Sequence, residues 1–225
     1  PYHAWAAAHG PVDWRHIASA ITQRAATNTP PSTPDCPPLS GNFIFVPLQT
    51  PGDSQLRLFG GAFQTVDAFV ETLIDASNSL PDGWHIRLKD HPTSTSTAGD
   101  LLLNKGDAPI YLDNGTNTFD QVKASRAVMT VNSSVGLEAM FFGKPVIACG
   151  QCFWAIDGVA QSTITPQAIK AALQNPASLV YDPLARQSFL GFITNIYYPK
   201  LENAAALIID RTSGNDRFGF WGDSS

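Results

Sequence analysis

Two adjacent serines, Ser133 and Ser134, stand between the apolar run "AVMTV" and the helical pattern "VGLEAMFF". A helix start leaves its first N–H groups without intrahelical partners and carries partial positive charge. The N–H groups of residues 134 to 136, with the two hydroxyls, therefore suit an anion such as a phosphate. Gly136 would let a ligand approach the backbone closely. The plainer alternative is that one serine caps the helix, and spacing leaves both readings open. Glu138 lies one turn beyond Ser134 on the same helix face. It can accept hydrogen bonds from a ribose or simply face solvent.

Two further groups could share chemistry with the serines. His91-Pro92 follows the run "IRLKD", so a histidine stands at a strand end on a loop stiffened by proline. Such a histidine can donate to a phosphate or a base carbonyl, or be an ordinary surface residue. Lys89 brings positive charge toward the same place, in a chain with only 14 basic residues. The third group is "QTPGDSQ", where Asp53 follows Gly52 and is flanked by Gln49 and Gln55. A carboxylate there can serve as nucleophile or base. Pro-Gly-Asp-Ser is also a common turn sequence, and spacing alone favours the turn.

These loops need elements to position them, and the chain supplies a rhythm. "NFIFVPL" reads as a strand, and "QTPGDSQLRLFGG" as a loop. "TVDAFVETLIDASNS" is a helix with Val66, Phe69, Val70, Leu73 and Ile74 on one stripe. "GWHIRLK" and "APIYLD" are further strands, with the loop "DHPTSTSTAGD" between them. "TFDQVKASR" is a short helix, "AVMTV" a fourth strand, "SSVGLEAMFF" a helix and "KPVIAC" a fifth strand. Alternating strands and helices imply an α/β fold, a doubly wound parallel sheet with helices on both faces. Ligands bind such sheets outside the carboxyl ends of the strands. The loops at residues 49–55, 91–92 and 133–134 all follow strands, so they are expected to converge on one edge as a nucleotide-type site.

Residues 42–160 form this Rossmann-like domain. Before it, residues 1–41 carry a helix, "DWRHIASAITQRAA", and a connector with five prolines in fifteen residues. After it, residues 161–225 read as helices packing on the domain, beginning with "TPQAIKAALQNP" capped by Thr165 with Pro166 at its first position. "RQSFLGFITNIYY" and "PKLENAAALIIDR" follow as two more helices, with no strand signal, and "TSGNDRFGFWGDSS" reads as a loose tail.

Composition bounds the partners. The 225 residues are 44% hydrophobic and 15% charged, with a net charge of -5, which fits a buried globular core. The acidic balance gives no reason to expect nucleic acid or anionic lipid as a partner. No apolar run approaches the roughly 18 residues of a membrane helix. Cys36, Cys149 and Cys152 are few and odd in number; Cys149-Gly-Gln-Cys152 lacks a second ligand pair, so these two read as structural packing. No metal site is expected. The sparse cysteines point to a reducing, cytoplasmic setting, where the sequons at Asn114 and Asn132 carry little meaning.

Taken in order, "PLQTPGDSQ", "KDHP" and "TVNSSVGLEAMFFGKPVIACGQCFW" resemble the capsule polysaccharide synthesis family, whose members include the retaining β-Kdo glycosyltransferases. The His-Pro and Ser-Ser motifs are also similar to those of bacterial sialyltransferases that use CMP-sugars. The match covers about half of the chain. It implies a GT-B-type donor-binding domain in which His91, Ser133 and Ser134 contact cytidine monophosphate. It also implies that Asp53 is the catalytic carboxylate of a double displacement, with His91 beside it on the departing CMP. Gln49, Gln55, Lys89, Pro92, Gly136 and Glu138 complete the implied donor site. The donor is a CMP-sugar, with Kdo the implied sugar, and no separate cofactor is expected. The acceptor is a glycan or glycolipid in capsule or lipopolysaccharide assembly, so any membrane association is peripheral, at the inner face of the inner membrane. The same motifs resemble sugar-nucleotide epimerases and teichoic-acid polymerases, which leaves UDP-sugar or CDP-polyol donors open, as well as a donor-binding module without turnover. Such enzymes have two Rossmann-like halves. Only the donor half is legible here, so the chain is expected to be an excised half, inactive alone, or a much reduced enzyme.

Overall fold

A computed structural model describes residue 8 and residues 15–21, 32–94 and 98–194. The remainder of the first helix, the end of "RQSFLGFITNIYY", the third C-terminal helix "PKLENAAALIIDR" and the tail read from sequence lie outside the described residues. Six strands form one sheet: β1 (Asn42–Pro47), β2 (Trp84–Lys89), β3 (Ile110–Leu112), β4 (Ala127–Thr130), β5 (Val146–Ala148) and β6 (Gln161–Ser162). Every pairing is parallel and the order is β3-β2-β1-β4-β5-β6. The fold is Rossmann-like and doubly wound, as the alternating pattern predicts. Chain direction across the sheet reverses between β1 and β4, which makes that gap the topological switch point.

Both faces of the sheet are covered, so β1, β4 and β5 carry apolar side chains on both, whereas β2 sets apolar Ile86 and Leu88 on one face and buried polar His85, Arg87 and Lys89 on the other. In β1, Ile44 and Val46 face one core while Phe43 and Phe45 face the other, and all four are fully buried. The first core is closed by α2 (Ser54–Phe59), α3 (Val66–Ser77), α4 (Gly99–Leu102) and α7 (Pro166–Gln174) through Leu56, Phe69, Leu73, Leu102 and Ile169. The second is closed by α5 (Thr118–Ala124), α6 (Ser134–Phe141) and α8 (Pro183–Phe192) through Val122, Met140 and Leu190. Short α1 (Arg15–Ala20) lies against α6. Helix starts are fixed by side-chain oxygens: Thr65, Asn117, Thr165 and Asp182 each accept from an N–H of the first turn.

Three sequence expectations are corrected. The stretch 49–61 is not all loop, because Asp53 caps the one-and-a-half-turn helix α2. The stretch 90–100 runs into α4. A strand does return beyond residue 160: Gln161 and Ser162 pair in parallel with Ile147 and Ala148. Both residues are exposed and polar, so no apolar run announces this edge strand.

The proline-rich segment at residues 32–41 lies against the sheet. Thr33 N–H donates to the Leu112 carbonyl and Thr33 Oγ1 accepts from Leu112 N–H, both at 2.8 Å. Arg87 Nη1 donates to the Pro37 carbonyl at 2.9 Å. The edge strand β3 is thereby covered, which removes a template for stray pairing. No helix among the described residues is long and apolar enough to cross a membrane.

Candidate functional site

A cleft of about 140 Å³ opens at the carboxyl ends of β1, β2 and β4. It is lined by Pro47 and Leu48, by Lys89 to Pro92, by Thr118 and Phe119, and by Ser133, Ser134, Val135 and Glu138. Six of the ten residues expected at the site therefore share one cleft: Lys89, His91, Pro92, Ser133, Ser134 and Glu138. It stands at the switch point.

The His-Pro loop is tied down at its root. Asp90 Oδ1 accepts from Ala98 N–H at 3.1 Å, and its Oδ2 accepts from Asn114 Nδ2 at 3.0 Å. Asn114 Oδ1 accepts in return from Asp90 N–H at 2.9 Å. His91 Nδ1 accepts from Thr93 N–H at 3.3 Å and lies 2.9 Å from the Thr93 hydroxyl. Accepting an N–H at Nδ1 places the proton of the neutral ring on Nε2. Lys89 donates to the carbonyls of Asn114 and Thr116, both at 2.7 Å. Its ammonium thus braces the 114–116 loop while the side chain lines the cleft. Burial holds the Lys89 pKa below its ordinary value, against the opposing pull of Asp113 and Asp90.

The capping reading of the serine pair is realised. Ser133 is the helix cap, with Oγ accepting from Val135 N–H at 3.3 Å. Gly136 N–H donates to the Ser133 carbonyl at 3.0 Å. The expectation of three unsatisfied N–H groups at residues 134 to 136 is therefore corrected, since two are already engaged. The cap bond to Val135 is long, and Ser133 and Ser134 both line the cleft at the start of α6, where the helix dipole favours negative charge. Glu138 stands one turn deeper and suits a hydroxyl rather than a phosphate, because ionised it only accepts.

Four expected residues are not brought into the cleft. A Cβ on Gly136 would meet the Trp154 ring at 2.6 Å and Thr130 Cγ2 at 3.0 Å. This glycine serves helix-to-core packing. Gln49, Asp53 and Gln55 form a separate polar ring beside the cleft. Asp53 Oδ1 accepts from Gln55 N–H at 2.8 Å, which caps α2, and its Oδ2 accepts from Gln49 Nε2 at 3.0 Å. Asn132 closes the ring: its Oδ1 accepts from Gln49 Nε2 at 2.9 Å and its Nδ2 donates to the Gln55 carbonyl at 2.9 Å.

The sequence reading passed over Pro47, Leu48, Asp90, Thr118, Phe119 and Val135. Thr118 and Phe119 open the helix after β3, so the rule that sites follow strands would have reached them. Cys149 is fully buried beside the Thr163 hydroxyl, and burial pushes the thiols of Cys149 and Cys152 up to about 12. Both are packing residues, as expected.

A doubly wound parallel sheet with a cleft at its switch point defines a Rossmann-like domain. The family model "capsule polysaccharide biosynthesis protein" matches residues 8–196; the chain belongs to that family. It is 31% identical over 163 residues to protein FixF of Sinorhizobium fredii, covering 72% of this chain and 39% of FixF. Among solved structures it is similar to Thermosulfurimonas dismutans KpsC, a β-Kdo 2,7 transferase, at 20% identity and a TM-score of 0.45, covering 62% of this chain and 46% of that one. It is also similar to Anabaena HepE in complex with UDP-glucose, at 15% identity and a TM-score of 0.45, covering 78% of this chain and 50% of that one. The chain thus spans half or less of the length of each of these relatives.

Proposed function

We propose that this chain is the donor-binding domain of a glycosyltransferase of capsule or lipopolysaccharide assembly. In this reading it takes a CMP-sugar, with Kdo as the sugar, and transfers it with retention to a glycan acceptor. The observation that carries the reading is the meeting of His91-Pro92 with Ser133-Ser134 in one cleft, in a chain of the capsule polysaccharide biosynthesis family. The phosphate sits at the start of α6 and receives the Ser133 and Ser134 hydroxyls and His91 Nε2–H. Glu138 accepts from the ribose, and Leu48, Phe119 and Val135 supply apolar wall.

The sugar extends past Leu48 toward the polar ring. Asp53 attacks the anomeric carbon, the bond to the phosphate oxygen breaks, and CMP departs with both bonding electrons. Fixed donors in the cleft stabilise the charge that develops on the leaving phosphate. The acceptor hydroxyl oxygen then bonds to the anomeric carbon, its proton passes to solvent, and the bond to Asp53 breaks to release the carboxylate; two inversions give retention. Calorimetric titration with CMP, UDP and CDP tests the donor. CMP should bind at least about tenfold more tightly than UDP, a difference of about 1.4 kcal/mol. A preference for UDP would overturn the CMP assignment. Normal transfer by an Asp53→Ala variant of the full-length protein would remove Asp53 from the reaction.

A further inference from the structure

A helix cap needs one carboxylate oxygen, and Asp53 Oδ1 already fills that need at Gln55 N–H. The second oxygen is held by a longer relay. Gln49 is only 8% exposed, and its Nε2 donates both to Asp53 Oδ2 and to Asn132 Oδ1. Gln49 Oε1 accepts from Asn132 N–H at 3.3 Å, so the two residues exchange amide hydrogen bonds across 83 positions of sequence. Asn132 Nδ2 then returns to the Gln55 carbonyl. Asp53, Gln49, Asn132 and Gln55 form a closed ring that spans the carboxyl ends of β1 and β4. Asn132 is also the residue immediately before Ser133, which borders the cleft.

We propose that Asn132 and Gln49 act as one positioning unit, holding the Asp53 carboxylate in register with the phosphate seat at Ser133; this rests on Asp53 being the attacking carboxylate. Asn132 touches neither phosphate nor sugar in this assignment. It fixes the rotation of the Gln49 amide, and Gln49 fixes the plane of the carboxylate. Without the relay Asp53 keeps its cap bond but can turn about it. A small misplacement of a reacting group costs rate far more than it costs binding, on the order of 10²-fold.

The test uses the full-length protein with Asn132→Ala, Gln49→Met, their double variant, and Asp53→Ala as reference. Gln49→Met keeps the side chain's length without its amide, and thermal melting confirms that each variant folds. CMP release from CMP-Kdo reports turnover, and CMP titration reports the cleft. Each single variant should lose on the order of 10²-fold in kcat, with the CMP dissociation constant within about threefold of the parent. The double variant should be no slower than the worse single, because the two residues act as one device. Three results would overturn the proposal: full turnover in both singles while Asp53→Ala is inactive, losses that multiply in the double, or a loss of CMP affinity as large as the loss of turnover. Normal turnover by Asp53→Ala would instead strike the reading of Asp53 itself and take the relay with it.

Discussion

His85 stands in β2 with its ring stacked on Phe43 at 5.4 Å and edge-on to Tyr111 at 5.6 Å. It is 4% exposed, and its Nε2 has no hydrogen-bond partner among the described residues. Burial, and then the charge of Arg87, lower its pKa to about 4 from an ordinary 6.5. Above pH 6.5 the ring is neutral in folded and unfolded chains alike, so it makes no difference there. As the pH falls from 6.5 toward 4, the unfolded chain takes up a proton that the folded chain refuses. Stability is therefore lost across that window, by about 3 kcal/mol from this residue. His85→Phe keeps an aromatic ring between Phe43 and Tyr111 and removes both the orphaned nitrogen and the titration. Urea midpoints at pH 7 and pH 4.5 should differ less for the variant than for the parent. Equal differences would show that another group governs the acid limb. Asn114 is another residue whose meaning changes with its surroundings. Its sequon is legible in sequence, yet the side chain is 7% exposed and bonded to Asp90 at both ends, so the folded chain does not present it for glycosylation.

At the scale of elements, α6 is the part on which the cleft depends most, and Gly136 sets its distance from the core. Alanine at this position would gain about 1 kcal/mol of helix propensity. Its Cβ would also press into the Trp154 ring at 2.6 Å, and that ring is 2% exposed and cannot yield cheaply. Overpacking of this kind costs about 1–3 kcal/mol, so Gly136→Ala should be destabilising on balance. Denaturant unfolding should show a lower midpoint, and CMP titration a weaker affinity, because the start of α6 must move outward. A variant as stable as the parent would mean that Trp154 has room to shift. The elements that were legible in sequence are those whose signal is local. Strands β1 and β4 are apolar on both faces, β2 alternates apolar Ile86 and Leu88 with polar His85, Arg87 and Lys89, and α3 and α7 carry periodic stripes with threonine caps. Strand β6 was not legible, since two exposed polar residues pair only because Ala148 and its neighbours present an edge. Helix α2 was hidden behind Pro51-Gly52, where turn chemistry and a capping aspartate look alike. The same limit applies to the site. His91 and the serines could be placed by the rule that ligands meet strand ends, whereas the bonds from Asn132 to Gln49 join residues 83 apart and follow from no local pattern.

At the scale of the whole molecule, the cleft exists only when four distant segments meet: residues 47–48, 89–92, 118–119 and 133–138. No unfolded chain holds them together, so a ligand of the cleft binds the folded state alone and stabilises it by mass action. At a concentration one hundred times its dissociation constant, CMP should add about 2.7 kcal/mol. For a chain of this size that corresponds to a rise in melting temperature of roughly 5 to 10 °C. His91→Ala removes one donor and leaves the cap of α6 in place, so the rise should shrink in this variant while the melting temperature without CMP changes little. Ser133→Ala should lower the melting temperature even without CMP, because the cap of α6 goes with the hydroxyl, at a cost of about 1 kcal/mol. Asp53→Ala should keep the full CMP rise, since Asp53 lies outside the cleft and caps only α2. Thermal melts of the four proteins with and without CMP separate these outcomes. An equal CMP rise in the parent and in His91→Ala would show that the nucleotide binds elsewhere, and the assignment of this cleft would fall.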